Sequence, residues 1–332
     1  MIWQVLLVVL IVLAVLALVV LYFALVPPGL GRLASHPRPA ASYAEAAERV
    51  QALMAHGETA DYHPLGRTQF LTHGQKVARA IVLIHGYTSS PEQFRLLGER
   101  FHALGYNVLI APLPHHGLAD RLTPAQGQMT AELMAAYADE VVDIARGLGE
   151  HVTVAGLSGG GVTTAWAAQT RADVDQAVLM APAFGYKPVP RAVTVGAING
   201  VLLLPDVFVW WDPALQAEGS AAHAYPRYSR HALAHVLRLA YATRALSRRA
   251  APKAKRLLVV TNANDAMVDN AATARAVGEW RARGVRDLRT YEFPAELGLE
   301  HDFIEASAAK QQVELVYAKL IELISPTVLP RG

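Results

Sequence analysis

The chain has 332 residues, a formal net charge of +2, 53% hydrophobic residues and no cysteine. The charge balance carries no basic signature for a nucleic-acid partner, and the missing thiols exclude disulfides, zinc–thiolate sites and thiol redox chemistry. The length suits one α/β domain with an additional segment.

Residues 5–26 hold no charge and are Leu- and Val-rich. As a helix they span ~33 Å, enough for a hydrocarbon core of ~30 Å. No Lys or Arg precedes the run, it is longer than a secretory h-region, and Pro27-Pro28-Gly29 follows it. The pattern predicts an uncleaved transmembrane anchor over 1–28 at the cell membrane. Residues 29–42 read as a flexible linker, ~20–25 Å across on average. Arg32 and Arg38 on that flank favour a cytoplasmic catalytic domain by two charges, too thin a margin to assign a side.

Beyond it, 43–332 reads as one domain. Residues 43–56 predict an amphipathic helix and 68–72 a strand or hairpin. Strands follow at 80–85, 106–111, 151–156 and 176–181, with helices at 91–104, 129–148 and 159–171 between and after them. A strand at 256–261, a helix at 270–283, a strand at 287–293 and a long helix at 303–324 complete the order. Strands alternating with helices predict a mostly parallel sheet covered on both faces.

Gly156-Leu157-Ser158-Gly159-Gly160 is the most informative run. A Gly-x-Ser-x-Gly match arises by chance only about 0.1 times in a chain of this size. Here it follows an apolar strand and opens a small-residue helix, the setting of a strained turn that exposes a nucleophilic serine. Serine needs an imidazole to take its proton and a carboxylate to fix the imidazole tautomer. Asp265 follows the strand at 256–261, and His301 follows the loop after the strand at 287–293. Both lie where open α/β sheets place their ligand sites. Asp269, one turn further, has its own explanation as a helix N-cap, and Asp302 would have to fold back on its neighbour. For an oxyanion, Gly159 supplies one amide and Tyr87 a second, since Gly86 permits a tight turn after the strand at 80–85. His85 reads as structural because the base position is filled, and His116-Gly117 as shaping a neighbouring loop.

Together, His85-Gly86, the Gly-x-Ser-x-Gly turn, Asp265 and His301 resemble the α/β-hydrolase superfamily. Over roughly 65–325 the chain is most similar to bacterial carboxylesterases and the monoacylglycerol lipase or lysophospholipase-like group, whose loop Leu113-Pro114-His115-His116-Gly117 also resembles. The resemblance implies nucleophile Ser158, base His301, acid Asp265, oxyanion donors Tyr87 and Gly159, and no metal or organic cofactor. Leu157 stands where many lipases of the group carry histidine, which favours an esterase. A serine nucleophile argues against the dehalogenase and epoxide hydrolase branches.

Between the strands at 176–181 and 256–261 lies an insertion of far more residues than a crossover needs. The resemblance implies an inserted helical cap, about 183–253. Its apolar stretch offers Phe208, Trp210 and Trp211 as an acyl pocket or membrane-facing rim, or simply as cap core. Its later part carries Arg227, Arg230, Arg238, Arg244, Arg248, Arg249, Lys253 and Lys255, and Arg256 follows, with no acid between Glu218 and Asp265: a solvated face or a patch for anionic headgroups. The expectation is a membrane-anchored serine hydrolase of lipid-like carboxylic esters. A thioesterase, an aminopeptidase-like amidase and a non-catalytic membrane-tethered binding module are the alternatives.

Overall fold

A computed structural model describes residues 1–27, 29–58, 61–214, 216–308 and 312–325. In chain order the elements are α1 (Ile2–Leu25), α2 (Tyr43–Gly57), β1 (Gln69–Leu71), β2 (Val77–Ile84), α3 (Arg95–Ala103), β3 (Tyr106–Ile110), α4 (Ala131–Leu148), β4 (Gly149–Leu157) and α5 (Gly159–Thr170). They continue with β5 (Gln176–Met180), α6 (Thr194–Leu203), β6 (Phe208–Trp210), β7 (Arg227–Ser229), α7 (Arg230–Ser247), β8 (Arg256–Asn262), α8 (Asn270–Ala282), β9 (Leu288–Phe293) and α9 (Val313–Ile324).

Seven strands form one sheet in the order β1-β3-β2-β4-β5-β8-β9. Only β1 runs antiparallel, along β3 at the edge; the other pairings are parallel. Every residue of β3 and β5 is buried. An unbroken buried run requires cover on both sheet faces, which is why these strands read as continuous apolar segments rather than alternating ones. Helices supply that cover: α4 and α5 lie against β2, β4 and β5, and α3 lies against β3. Helix starts follow local chemistry. Ser42 Oγ accepts from Glu45 N at the head of α2, and Thr130 Oγ1 accepts from Leu133 N at the head of α4.

α1 is long and apolar enough to cross a membrane, and none of its residues is buried. Residues 29–42 differ from the expected flexible linker. From Ser35 onward they run as a strap along α4: Asp139 accepts from Ser35 Oγ at 2.5 Å and from His36 N, and Asp143 Oδ2 accepts from Arg38 N at 2.7 Å. Both carboxylates are held by the buried Arg171 guanidinium, which also pairs with Asp173. Without Arg171 they would be buried anions with no counter-charge.

The last helix is shorter than the pattern at 303–324 predicts. Phe303 and Ile304 are fully buried in turns that anchor the chain to the core. The Glu305 carboxylate then accepts from Ser307 N and Oγ, a local cap that competes with helical bonding, and α9 begins at Val313.

The basic run in the insertion also resolves differently. Arg238 pairs with Glu132, Arg244 and Arg248 with Glu279, Lys255 with Asp175, and Arg256 with Asp287. The acids missing from the local sequence thus arrive from other elements and pair with part of the run.

Candidate active site

Ser158 sits between β4 and α5 with φ 55° and ψ −112°, a region that costs an L-residue about 1–3 kcal/mol. The surroundings over-determine it. Ser158 N donates to Met180 O at 2.9 Å, and its carbonyl accepts from Val162 N and Ala183 N. The flanking glycines are dictated by close backbone approach: a Cβ on Gly156 would lie 2.3 Å from Gly160 O, and one on Gly160 2.2 Å from Ile84 O. Gly159 opens α5, so its N–H has no intrahelical partner.

The loop after β2 brings Tyr87 to the same place. Tyr87 N lies 3.2 Å from where a Gly159 Cβ would stand, and it donates to no group among the described residues. Buried histidines shape this loop. Burial and the neighbouring His116 hold His85 well below the ordinary histidine value, so it is neutral; its Nδ1–H donates to Gly86 O and its Nε2 accepts from Leu113 N at 2.9 Å. Burial pushes His116 down to about 4, and its Nε2 accepts from Thr88 N. His116 thus shapes the neighbouring Tyr87 loop, as expected. Gly86 N is held by Gln93 Oε1 at 2.8 Å, a contact no motif announces.

His301 Nδ1 donates to Asp265 Oδ2 at 2.7 Å. Asp265 is buried, and its Oδ1 accepts from Met267 N at 2.8 Å and Val268 N at 2.9 Å. Burial works to raise the Asp265 carboxyl, but the hydrogen bond and charge of His301 and the two amides bring it below the ordinary value. For His301 burial works downward, and Asp265 together with the neighbouring Asp302 reverses it, leaving the imidazole above its ordinary value. Asp269 is elsewhere: it caps α8 through Ala271 N and pairs with Arg275.

Asn262 went unnoticed in the sequence. Buried at the end of β8, its side-chain amide donates to Leu299 O at 2.8 Å and Glu300 O at 2.9 Å, bracing the turn that carries His301. Lys187 Nζ similarly donates to Asp265 O at 2.7 Å. An Asn at a strand end, in the run Asn262-Ala263-Asn264-Asp265, is the local signal for this brace.

Ser158, Gly159, Tyr87 and His301 line one cavity of about 940 Å³. No hydrogen bond joins Ser158 Oγ to His301 among the described residues; such bonds are often long before substrate binds. The insertion walls the cavity through Tyr186, Trp211, Leu233, Val236 and Leu237. Of the three aromatic candidates only Trp211 reaches it, its Nε1 donating to Thr88 Oγ1. Phe208 lies beneath the Arg227 guanidinium, and Trp210, two residues on along β6, shares its strand face.

Residues 75–293 match the family described as Hydrolase_4: Serine aminopeptidase, S33. The chain belongs to this family. Its fold is also that of the metagenome-derived lipolytic enzymes LipS and LipT, with 21% identity, a TM-score of 0.60, and coverage of 79% of this chain and 98% of that one. A Paleococcus ferrophilus monoacylglycerol lipase gives 19% identity, a TM-score of 0.59, and coverage of 77% and 97%. A soluble variant of Saccharomyces cerevisiae monoglyceride lipase with a substrate analogue gives 14%, 0.61, and 78% and 91%. No curated protein sequence matches the chain. The protein is therefore a hydrolase with the α/β-hydrolase fold, similar to lipases and esterases.

Proposed function

We propose that the protein is a membrane-anchored serine hydrolase of carboxylic esters, acting on lipid-like acyl groups. The observation that carries this is Ser158, in a strained turn, sharing a cavity with His301, whose Nδ1 is bonded to Asp265. Donation of Nδ1–H to Asp265 leaves His301 Nε2 as the lone-pair nitrogen. Nε2 takes the Ser158 proton as Oγ attacks the ester carbonyl, and the Tyr87 and Gly159 N–H groups stabilise the oxyanion, each by ~2.7–4 kcal/mol. His301 returns the proton to the departing alcohol. Water, deprotonated by the same nitrogen, then releases the acid and frees Ser158.

The apolar side chains of the insertion suit an acyl chain, and in this reading the insertion is a cap over about 183–253. α1 supplies the anchor over 1–28. A second reading, cleavage of an amide with a free amino group, rests on Asp302 and Glu305, acidic residues that line the cavity beside His301. Purified protein is to be labelled with a fluorophosphonate and assayed on acyl esters and aminoacyl anilides. Ser158→Ala is expected to lose both labelling and ester turnover while melting normally. Labelling that survives in Ser158→Ala would remove the mechanism, and turnover confined to anilides would replace ester with amide.

A further inference from the structure

We infer that the anchor is docked rather than tethered, and that it seats an apolar rim of α6 in the headgroup–acyl boundary of a lipid bilayer. This rests on reading α1 as a membrane anchor. The sequence of α6, TVGAINGVLL, is apolar nearly all round, with the buried Asn199 as its only amide side chain. A helix of that kind needs cover on every side. One side has it: Ile198 packs with Ala234 and Leu237 of α7, and Val201 and Leu202 join them. A second side meets the end of α1. Asn199 Nδ2 donates to Phe23 O and, at 2.9 Å, to Val26 O. These are terminal carbonyls that a helix leaves without internal partners.

The connection stays closed beyond that point. Pro27 is buried, Gly29 O accepts from Arg238 Nη2 at 2.8 Å, and Glu132 holds the same guanidinium. The strap on Asp139 and Asp143 follows. Hydrogen bonds to the domain thus recur from Phe23 to Ala40, leaving no long free stretch for a swivelling tether.

The ends of α6 are bare: Val193, just before it, Leu203, its last residue, and Leu204 and Val207, just after it, are 54%, 70%, 65% and 47% exposed. Leu203 lies one turn from Asn199, about 6 Å along the axis, so the bare edge is continuous with the exposed apolar surface of α1. Interfacial helices bury such a face about 5–10 Å into the headgroup–acyl boundary. The opposite side of the insertion serves the cavity, since Leu237, which packs against α6, also lines it. α6 and α7 together therefore stand between the bilayer and the acyl cavity.

The absence of cysteine allows single-cysteine labelling of the full chain without other changes. Environment-sensitive fluorophores are placed by Leu13→Cys, Leu203→Cys, Val207→Cys and, as an exposed control, Lys76→Cys. Each protein is reconstituted in palmitoyl-oleoyl phosphatidylcholine nanodiscs with or without brominated acyl chains. The expected result is blue-shifted emission and loss of most fluorescence to bromine at 13, 203 and 207, and neither at 76. Asn199→Ala and Asn199→Asp, which both remove the amide donor, are expected to relieve quenching at 203 while leaving that at 13. Quenching at 13 alone overturns the docked rim and leaves the anchor standing, whereas no quenching at 13 removes the anchor itself. Unchanged quenching at 203 in both Asn199 variants overturns the clamp. Disulfide dimers at Leu203→Cys, in place of quenching, assign the rim to a second copy of the chain.

Discussion

Across 36 positions of chain, His301 Nδ1 and Asp265 Oδ2 come within 2.7 Å. Burial opposes a charged imidazole here, yet Asp265 and Asp302 hold it above the ordinary histidine value of 6.5. General-base catalysis needs the neutral form, so the acidic limb of kcat/KM is expected above pH 6.5. Asp265→Asn is expected to move that limb to lower pH and cut turnover on the order of 10⁴-fold. A limb that stays in place in Asp265→Asn, with collapse in Asp269→Asn, reverses the assignment. The stability sign is opposite to the activity sign. A raised folded-state value favours the protonated protein, so this contribution is full below pH 6.5 and fades as pH rises through the raised value.

Asn262 touches the His301 turn through two backbone carbonyls and lines no part of the cavity. Asn262→Ala is expected to lower kcat by about 10²-fold, the scale of a misplacement near 1 Å, with little change in KM. A steady-state assay checks the split, together with the pH profile. A rise in KM at constant kcat would show that the brace acts on substrate binding instead.

Gly160 faces β2 across a gap with no room for a side chain, its Cβ position 2.2 Å from Ile84 O and 2.6 Å from His85 O. Both partners are backbone, so no rotamer change relieves the clash. Gly160→Ala is expected to cost more than the ~1–3 kcal/mol of ordinary overpacking and to distort the Ser158 turn. Chemical denaturation measures the first effect and fluorophosphonate labelling the second. A variant with unchanged denaturation midpoint and labelling contradicts the packing.

The insertion gives the cavity an apolar wall of Trp211, Leu233, Val236 and Leu237. Each added methylene of the acyl group is expected to contribute ~0.8 kcal/mol, about fourfold in kcat/KM, until the wall is full. Trp211→Ala should flatten that slope, whereas Phe208→Ala, outside the cavity, should not. Kinetics on p-nitrophenyl esters of graded length test both, and a preference for acetyl esters unchanged in Trp211→Ala would end the lipid-ester reading.

Features that depend on neighbouring residues were legible in the sequence. The strand–turn–helix around Ser158 is written in Gly156 and Gly160, because close backbone approach imposes residue type locally. The same holds for the buried parallel strands, the N-cap Asp269 and the uncharged run of α1. Order along the chain also indicated Asp265 and His301, since strand ends are where such sheets carry chemistry. Only the tertiary structure decided what met over long distances. The strap at 35–40 looked flexible because its partners, Asp139 and Asp143, lie more than a hundred positions away. The basic insertion looked like a charged surface because Glu132, Asp175 and Glu279 reach it from other elements. Phe208, Trp210 and Trp211 are all large aromatics in one apolar stretch, and only the fold brings Trp211 to the cavity, where its Nε1 meets Thr88 Oγ1. A hydrogen bond or ion pair needs only two complementary groups in range, and composition carries no record of which distant group the fold delivers.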